Sequence, residues 1–220
     1  MPGIIKNFTT IPAAAAMVVC ATITCRATLL SPGGVTTNIS SPYEFGGTSH
    51  LVASVTNSFD TGPMGGYDLA GTMTSWVVGG DTANPLGGLT FVYQVSISSD
   101  YLYEIQLGGY TGNVSLVNVA DTAGPLTLLP GSLGGGTVPT TADWVGQLHF
   151  TFGTTVNPPG NTYLLVVDTS ATTWGTANSS LYDDLSVNVA TLSPVPEPTS
   201  ASLLLLAFGA TVVRTLRRRR

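Results

Sequence analysis

The sequence predicts an all-β protein: an antiparallel β-sandwich or jelly-roll-like ectodomain, preceded by an N-terminal signal helix and followed by a short C-terminal hydrophobic helix. Three observations carry this prediction. Helix formers such as Glu, Lys and Gln are scarce among the 220 residues, while Thr, Ser, 26 Gly and 14 Pro are plentiful, a mixture that suits strands joined by turns. Apolar residues alternate with polar ones through the middle of the chain, and solid apolar runs lie at its two ends. Charged residues make up only 9%, against roughly 25% in an average soluble protein.

Residues 1–27 have the pattern of an export signal. Lys6 gives a modestly positive start, and Ile11 to Thr24 is apolar or small throughout. That is the length of a signal core and too short to cross a bilayer comfortably. Cys25-Arg26-Ala27 places small residues on either side of Arg26, so cleavage by signal peptidase is expected after Ala27. A buried N-terminal helix is the alternative, and Pro2, Gly3 and Pro12 weigh against it. Lipid attachment at Cys25 is a further alternative, to which the preceding Thr22-Ile23-Thr24 is poorly suited.

Residues 28–192 form the expected ectodomain. Period-two segments are predicted at His50–Phe59, Tyr67–Val78, Leu89–Ile97, Leu102–Tyr110, Val114–Ala120, Trp144–Phe152, Tyr163–Asp168 and Leu181–Val189. The cleanest is Leu89–Ile97, with Phe91, Tyr93, Val95 and Ile97 on one face and Val92 and Gln94 on the other. Gly-Gly pairs at 65–66, 79–80, 87–88 and 108–109, and the Pro158-Pro159-Gly160-Asn161 run, supply turns or bulges. Eight strands at this spacing point to a sandwich. The expected core is Phe91, Tyr93, Val95, Ile97, Leu148, Phe150, Phe152, Leu165 and Val167. Residues 121–141 are expected to be a long connection, and Thr191-Leu192-Ser193-Pro194 a linker kept extended by proline.

Residues 193–220 form a distinct tail. Val195-Pro196-Glu197-Pro198-Thr199-Ser200 precedes an apolar run from Ala201 to Val213, and the chain ends Arg214-Thr215-Leu216-Arg217-Arg218-Arg219-Arg220. The tail closely resembles the PEP-CTERM sorting signal: a Pro-Glu-Pro motif, a short hydrophobic helix and a terminal arginine cluster, in that order. The resemblance implies recognition by exosortase, a multi-spanning membrane enzyme, with Pro196, Glu197 and Pro198 as the sorting motif and Arg214, Arg217, Arg218, Arg219 and Arg220 as the membrane stop. It also implies a host with a Gram-negative-type envelope that makes exopolysaccharide. Membrane physics points the same way, since terminal arginines stay cytoplasmic and hold the motif at the outer face. Arg214 departs from the pattern by ending the apolar run after thirteen residues, about 20 Å of helix at 1.5 Å each. Snorkelling of its side chain would extend the usable span through Leu216. An uncleaved tail anchor is the plainer alternative. More loosely, Gly88–Val95 and Tyr163–Thr169, with Tyr182-Asp183-Asp184, are similar to the β-rich ectodomains of such proteins, which implies no enzymatic activity.

Charge narrows the function classes. All seven Lys and Arg lie near the termini, and none occurs between Thr28 and Val195, where eleven of the twelve acidic residues fall. Such a domain has nothing to neutralise phosphates, so nucleic acid is not an expected partner. Both cysteines, Cys20 and Cys25, lie in the signal segment, so the mature domain is expected to have neither a disulfide nor a thiol nucleophile.

No catalytic constellation emerges. The sequence lacks a Gly-x-Ser-x-Gly elbow, a phosphate loop, a dinucleotide fingerprint and a His-Glu-x-x-His helix. Of the two histidines, His50 and His149, the second lies between Leu148 and Phe150 and reads as a surface or sheet residue rather than a ligand. Among Glu44, Glu104, Asp143, Asp168, Asp183 and Asp184, no pair stands out as the two carboxylates of a glycosidase. Asp183-Asp184 reads as a solvated strand start, or with Asp168 as a Ca²⁺ site, since hard oxygen ligands suit that ion. Trp76, Trp144, Trp174, Tyr101, Tyr103 and Tyr110 include candidates for a sugar-stacking surface. Trp174, in a loop-like stretch, is the best placed to be exposed. The expectation is therefore a non-catalytic structural or adhesive surface protein linked to exopolysaccharide. The alternative is a carbohydrate-binding module using exposed aromatics and Ca²⁺.

Overall fold

The computed structural model describes residues 28–37, 39–41, 43–63, 68–110, 114–119 and 126–195. The signal helix, the sorting motif and the C-terminal helix read from the sequence lie outside these residues, as does the Gly65-Gly66 turn. The described residues form strands and no helix. In order these are β1 (Thr28–Leu30), β2 (Val35–Thr36), β3 (Ser40–Ser41), β4 (His50–Asp60), β5 (Ala70–Gly79), β6 (Thr90–Ser99) and β7 (Leu102–Leu107). They continue with β8 (Val114–Val119), β9 (Thr141–Val145), β10 (Gln147–Val156), β11 (Gly160–Asn161), β12 (Leu164–Asp168), β13 (Trp174–Tyr182) and β14 (Ser186–Pro194).

They assemble into two sheets stacked like a sandwich. The first runs β1-β8-β12-β6-β5-β4, with β11 also on β6 and β3 also on β8. The second runs β14-β13-β7-β10-β9-β2. Pairing is antiparallel throughout except for the short β3–β8 contact. The chain changes sheet repeatedly after β6, so residues far apart in sequence meet in one core. Met73, Phe91, Tyr93 and Leu165 of the first sheet pack with Ile105, Leu148, Phe150 and Leu181 of the second. All nine expected core residues are buried. Tyr93 is among them because its hydroxyl is satisfied: it donates to the Leu192 carbonyl at 2.7 Å and lies 2.5 Å from the Tyr110 hydroxyl.

Several boundaries differ from the sequence reading. Trp144–Phe152 is not one strand, because β9 and β10 form a hairpin turning at Gly146, whose φ of +76° suits glycine. Leu181–Val189 likewise spans a hairpin, with Asp183-Asp184 in the turn between β13 and β14. Thr191–Pro194 is not a linker but the end of β14, in register with Ala177 back to Trp174. β7 ends at Leu107, and Tyr110 is buried beyond it.

The largest difference concerns the first sheet's second face. Trp76, Val78, Val92, Leu164 and Val166 point away from the second sheet, yet all are buried with Tyr43 and Leu129. The segment from Leu126 to Leu133, expected to be part of a connection, lies over this face. Trp76 Nε1 donates to the Pro130 carbonyl at 3.0 Å. Gln94 accepts from Leu133 N at 2.8 Å and donates to the Leu133 carbonyl at 2.9 Å. Buried amides and indoles need such partners, and here the covering segment supplies them.

Candidate functional site

The most structured polar cluster lies where β12 ends and β6 begins. Thr90 and Asp168 are cross-strand partners there. At the end of β5, Gly80 takes a φ of +68° and turns the chain into the 80–89 loop, bringing Asp81 over the same spot. Asp81 Oδ1 accepts two backbone N–H groups, from Gly46 at 2.9 Å and Ala83 at 3.0 Å. Only glycine fits at 46, because a Cβ there would collide with Thr82. This close approach seats Tyr43 against both carboxyls. Its hydroxyl contacts Asp81 Oδ2 closely and lies 3.0 Å from Asp168 Oδ1. Thr90 Oγ1 completes the cluster, 2.9 Å from Asp168 Oδ1 and 3.2 Å from Asp81 Oδ2.

Two carboxyls are thus buried together, Asp168 fully and Asp81 at 5% exposure, with no Lys or Arg from Thr28 to Val195 to balance them. Asp168 Oδ2 has no hydrogen-bond partner. Burial, with a smaller push from Asp81, raises the Asp168 carboxyl from its ordinary 3.8 to about 7, against the bonds from Thr90 and Tyr43. Burial and the two carboxyls likewise push the Tyr43 hydroxyl up. Beside the cluster is an open cavity of about 620 Å³, with Tyr43, Phe45 and Gly46 on one side and Leu126 and Leu128 on another. The Tyr43 and Phe45 rings meet edge to face at 5.1 Å.

The structure disperses the residues singled out in the sequence. Asp168 belongs to the first sheet, whereas Asp183-Asp184 sits in a turn of the second. Asp183 Oδ1 accepts from Leu185 N, and Asp184 accepts from the Tyr101 hydroxyl at 2.9 Å. Burial raises the Asp183 carboxyl, opposed by the Leu185 N–H. The three are not brought together, and among the described residues no three acidic, His or Cys side chains gather as a metal site. Trp174 is 41% exposed but is the first residue of β13 rather than part of a loop. The other aromatic candidates do not join it: Trp76, Trp144 and Tyr110 are buried, and Tyr101 and Tyr103 are half-buried.

His149 lies on the outer face of the second sheet, as its place between Leu148 and Phe150 implied. Its Nδ1 is 3.3 Å from Glu104 and 3.6 Å from Asp143. A polar row continues across the strands, from Gln106 to Glu104 at 2.6 Å and from the Tyr182 hydroxyl to Gln106 at 3.2 Å. Sequence reasoning missed Tyr43, Asp81 and Thr90. Asp81 carried a usable signal, because it follows a Gly-Gly turn at a strand end. Tyr43 carried none, as its partners lie 38 and 125 residues away. No protein-family model, no curated protein and no solved structure matches this chain.

Proposed function

We propose that the chain is an exported bacterial surface or matrix protein, processed at its tail by an exosortase-type membrane enzyme, with a structural or adhesive role linked to exopolysaccharide. The tail carries this reading. Pro196-Glu197-Pro198, the apolar run Ala201–Val213 and the Arg217–Arg220 cluster follow one another as a membrane-read sorting signal requires. The fold is compatible with it, since β14 pairs up to Pro194 and Val195 N still donates to the Thr173 carbonyl at 3.2 Å. The motif therefore begins one residue beyond the sandwich's last strand-linked contact. In this reading the sandwich stands close to the outer membrane face of the anchoring helix until the tail is cut.

A non-catalytic role is compatible with the described side chains, where Asp81, Asp168 and Asp183 each hold a hydroxyl or a backbone N–H on at least one carboxyl oxygen. The carbohydrate-binding reading has one observation in its favour, the exposure of Trp174, the only exposed aromatic among the described residues. A stacking surface for a sugar chain would need further partners beside it. In a host carrying exosortase, mass spectrometry of the surface protein is expected to find a mature C-terminus lacking Ala201–Arg220. Glu197→Ala, or deletion of Arg217–Arg220, is expected to leave a larger, membrane-retained form. An intact C-terminus on the native surface protein contradicts the proposal.

A further inference from the structure

We propose that Asp168 is a proton-binding site: one proton held there tightens the network that clamps the 43–46 segment, and with it one wall of the cavity, to the end of the first sheet. The argument is a count of hydrogens. Two hydroxyls, Tyr43 and Thr90, each contact both Asp81 and Asp168. These four oxygen–oxygen contacts share two hydroxyl hydrogens. With both carboxyls ionised, two contacts set lone pair against lone pair, and two buried negative charges face each other uncompensated. A third hydrogen, on Asp168 Oδ1, fills one of the two empty contacts and removes one of the two buried charges. Asp168 then donates to the Tyr43 oxygen, Tyr43 donates to Asp81, and Thr90 donates to either carboxyl.

The environments assign the proton. Asp81 receives two backbone N–H groups on Oδ1 and faces two hydroxyls with Oδ2, a donor set suited to a charged carboxylate. Asp168 receives no backbone N–H in the network, is fully buried, and has an unpartnered Oδ2. Among the described residues the neighbouring elements bring no compensating cation. β6 offers Thr90, β8 has no titratable residue, and Ser170–Thr173 after β12 has none. Glu44 lines the cavity, and His50 Nδ1 lies 3.3 Å from the Thr48 carbonyl.

The sign of the pH effect follows from linkage. The folded state keeps the Asp168 proton up to about pH 7, whereas the unfolded chain releases it near 3.8. The stabilisation is complete below the lower value and is lost as pH rises toward the upper one. Above it the two carboxylates repel, and the Tyr43–Gly46 segment loosens from the sheet end.

The test uses the full chain in mild detergent. As pH rises from about 5 to about 8, the melting temperature of the wild type should fall, and hydrogen-exchange protection of the Gly46 amide should fall with it. Asp168→Asn keeps the shape and supplies an amide donor, so both trends should be largely lost in it. Carbon-13 NMR of the carboxyl groups in the wild type should show Asp168 titrating near neutrality. An unchanged pH trend in D168N overturns the proposal. So does an Asp168 carboxyl already ionised in the wild type at pH about 5, a reading that stands even if the variant does not fold.

Discussion

The two sheets are built from similar numbers of residues but bury different amounts of themselves. At its centre, in β5, β6 and β12, the first is covered on both faces, by the second sheet on one side and by Leu126–Leu133 with Tyr43 on the other, while β4 at its edge is exposed on alternate residues. Among the described residues the second is covered on one face only, and its outer face carries the row Tyr182, Gln106, Glu104, His149 and Asp143. Their sequences differ accordingly. Leu164–Asp168 is buried at every position, and Trp76–Val78 is a continuous buried run. In β10, Leu148, Phe150 and Phe152 are buried while Gln147, His149 and Thr151 between them are half-buried. Strands buried on both faces read as continuous apolar runs, and those with one wet face alternate. Among the described residues the second sheet's outer face is thus the wetter one, and Trp76 and Gln94 of the first sheet bond to its covering segment.

Substitutions sharpen this comparison. The largest effect is expected at Trp76, which packs on the second face of the first sheet and donates to Pro130. Trp76→Ala should cost about 3–5 kcal/mol, as much as Phe91→Ala in the central core. Denaturant unfolding of the two variants checks this. A Trp76→Ala cost below about 1 kcal/mol would mean that Leu126–Leu133 covers the sheet without forming a core with it. The smallest effect is expected on the open face. His149 is partly exposed, and its two carboxylate neighbours are screened by solvent. His149→Ala should therefore change stability by less than about 1 kcal/mol, at neutral pH, in the same unfolding assay.

Much of the fold was legible because one-face burial leaves a period of two. That period identified the central core and most strand positions, including Phe91, Phe150 and Leu165. It failed where a turn interrupts it without changing its phase. Gly146 and Asp183-Asp184 each lie inside an apparently continuous alternation, so two hairpins read as two strands. The second face of the first sheet was written in the sequence as Leu164–Val167 and Trp76–Val78, but period-two reasoning gave only that Val92 and Gln94 lie opposite Phe91 and Tyr93. What covers that face was not legible. Leu126, Leu128 and Leu129 sit in a stretch with turn-like composition, and their burial depends on a contact about fifty residues distant in sequence, between Trp76 and Pro130. The Asp168 cluster is harder still, since it joins four segments whose only local signals are a Gly-Gly turn and an acid at the end of an apolar run.

Amide hydrogen exchange on the full chain tests the contrast between the sheets most directly. Exchange should be slowest in β6 and β12 at the centre of the doubly covered sheet, and protection should extend into Leu129 and Leu133 of the covering segment. β13 and β14 of the singly covered sheet should exchange sooner. Slowest exchange in β10 and β13, with Leu126–Leu133 unprotected, would contradict a two-sided core in the first sheet.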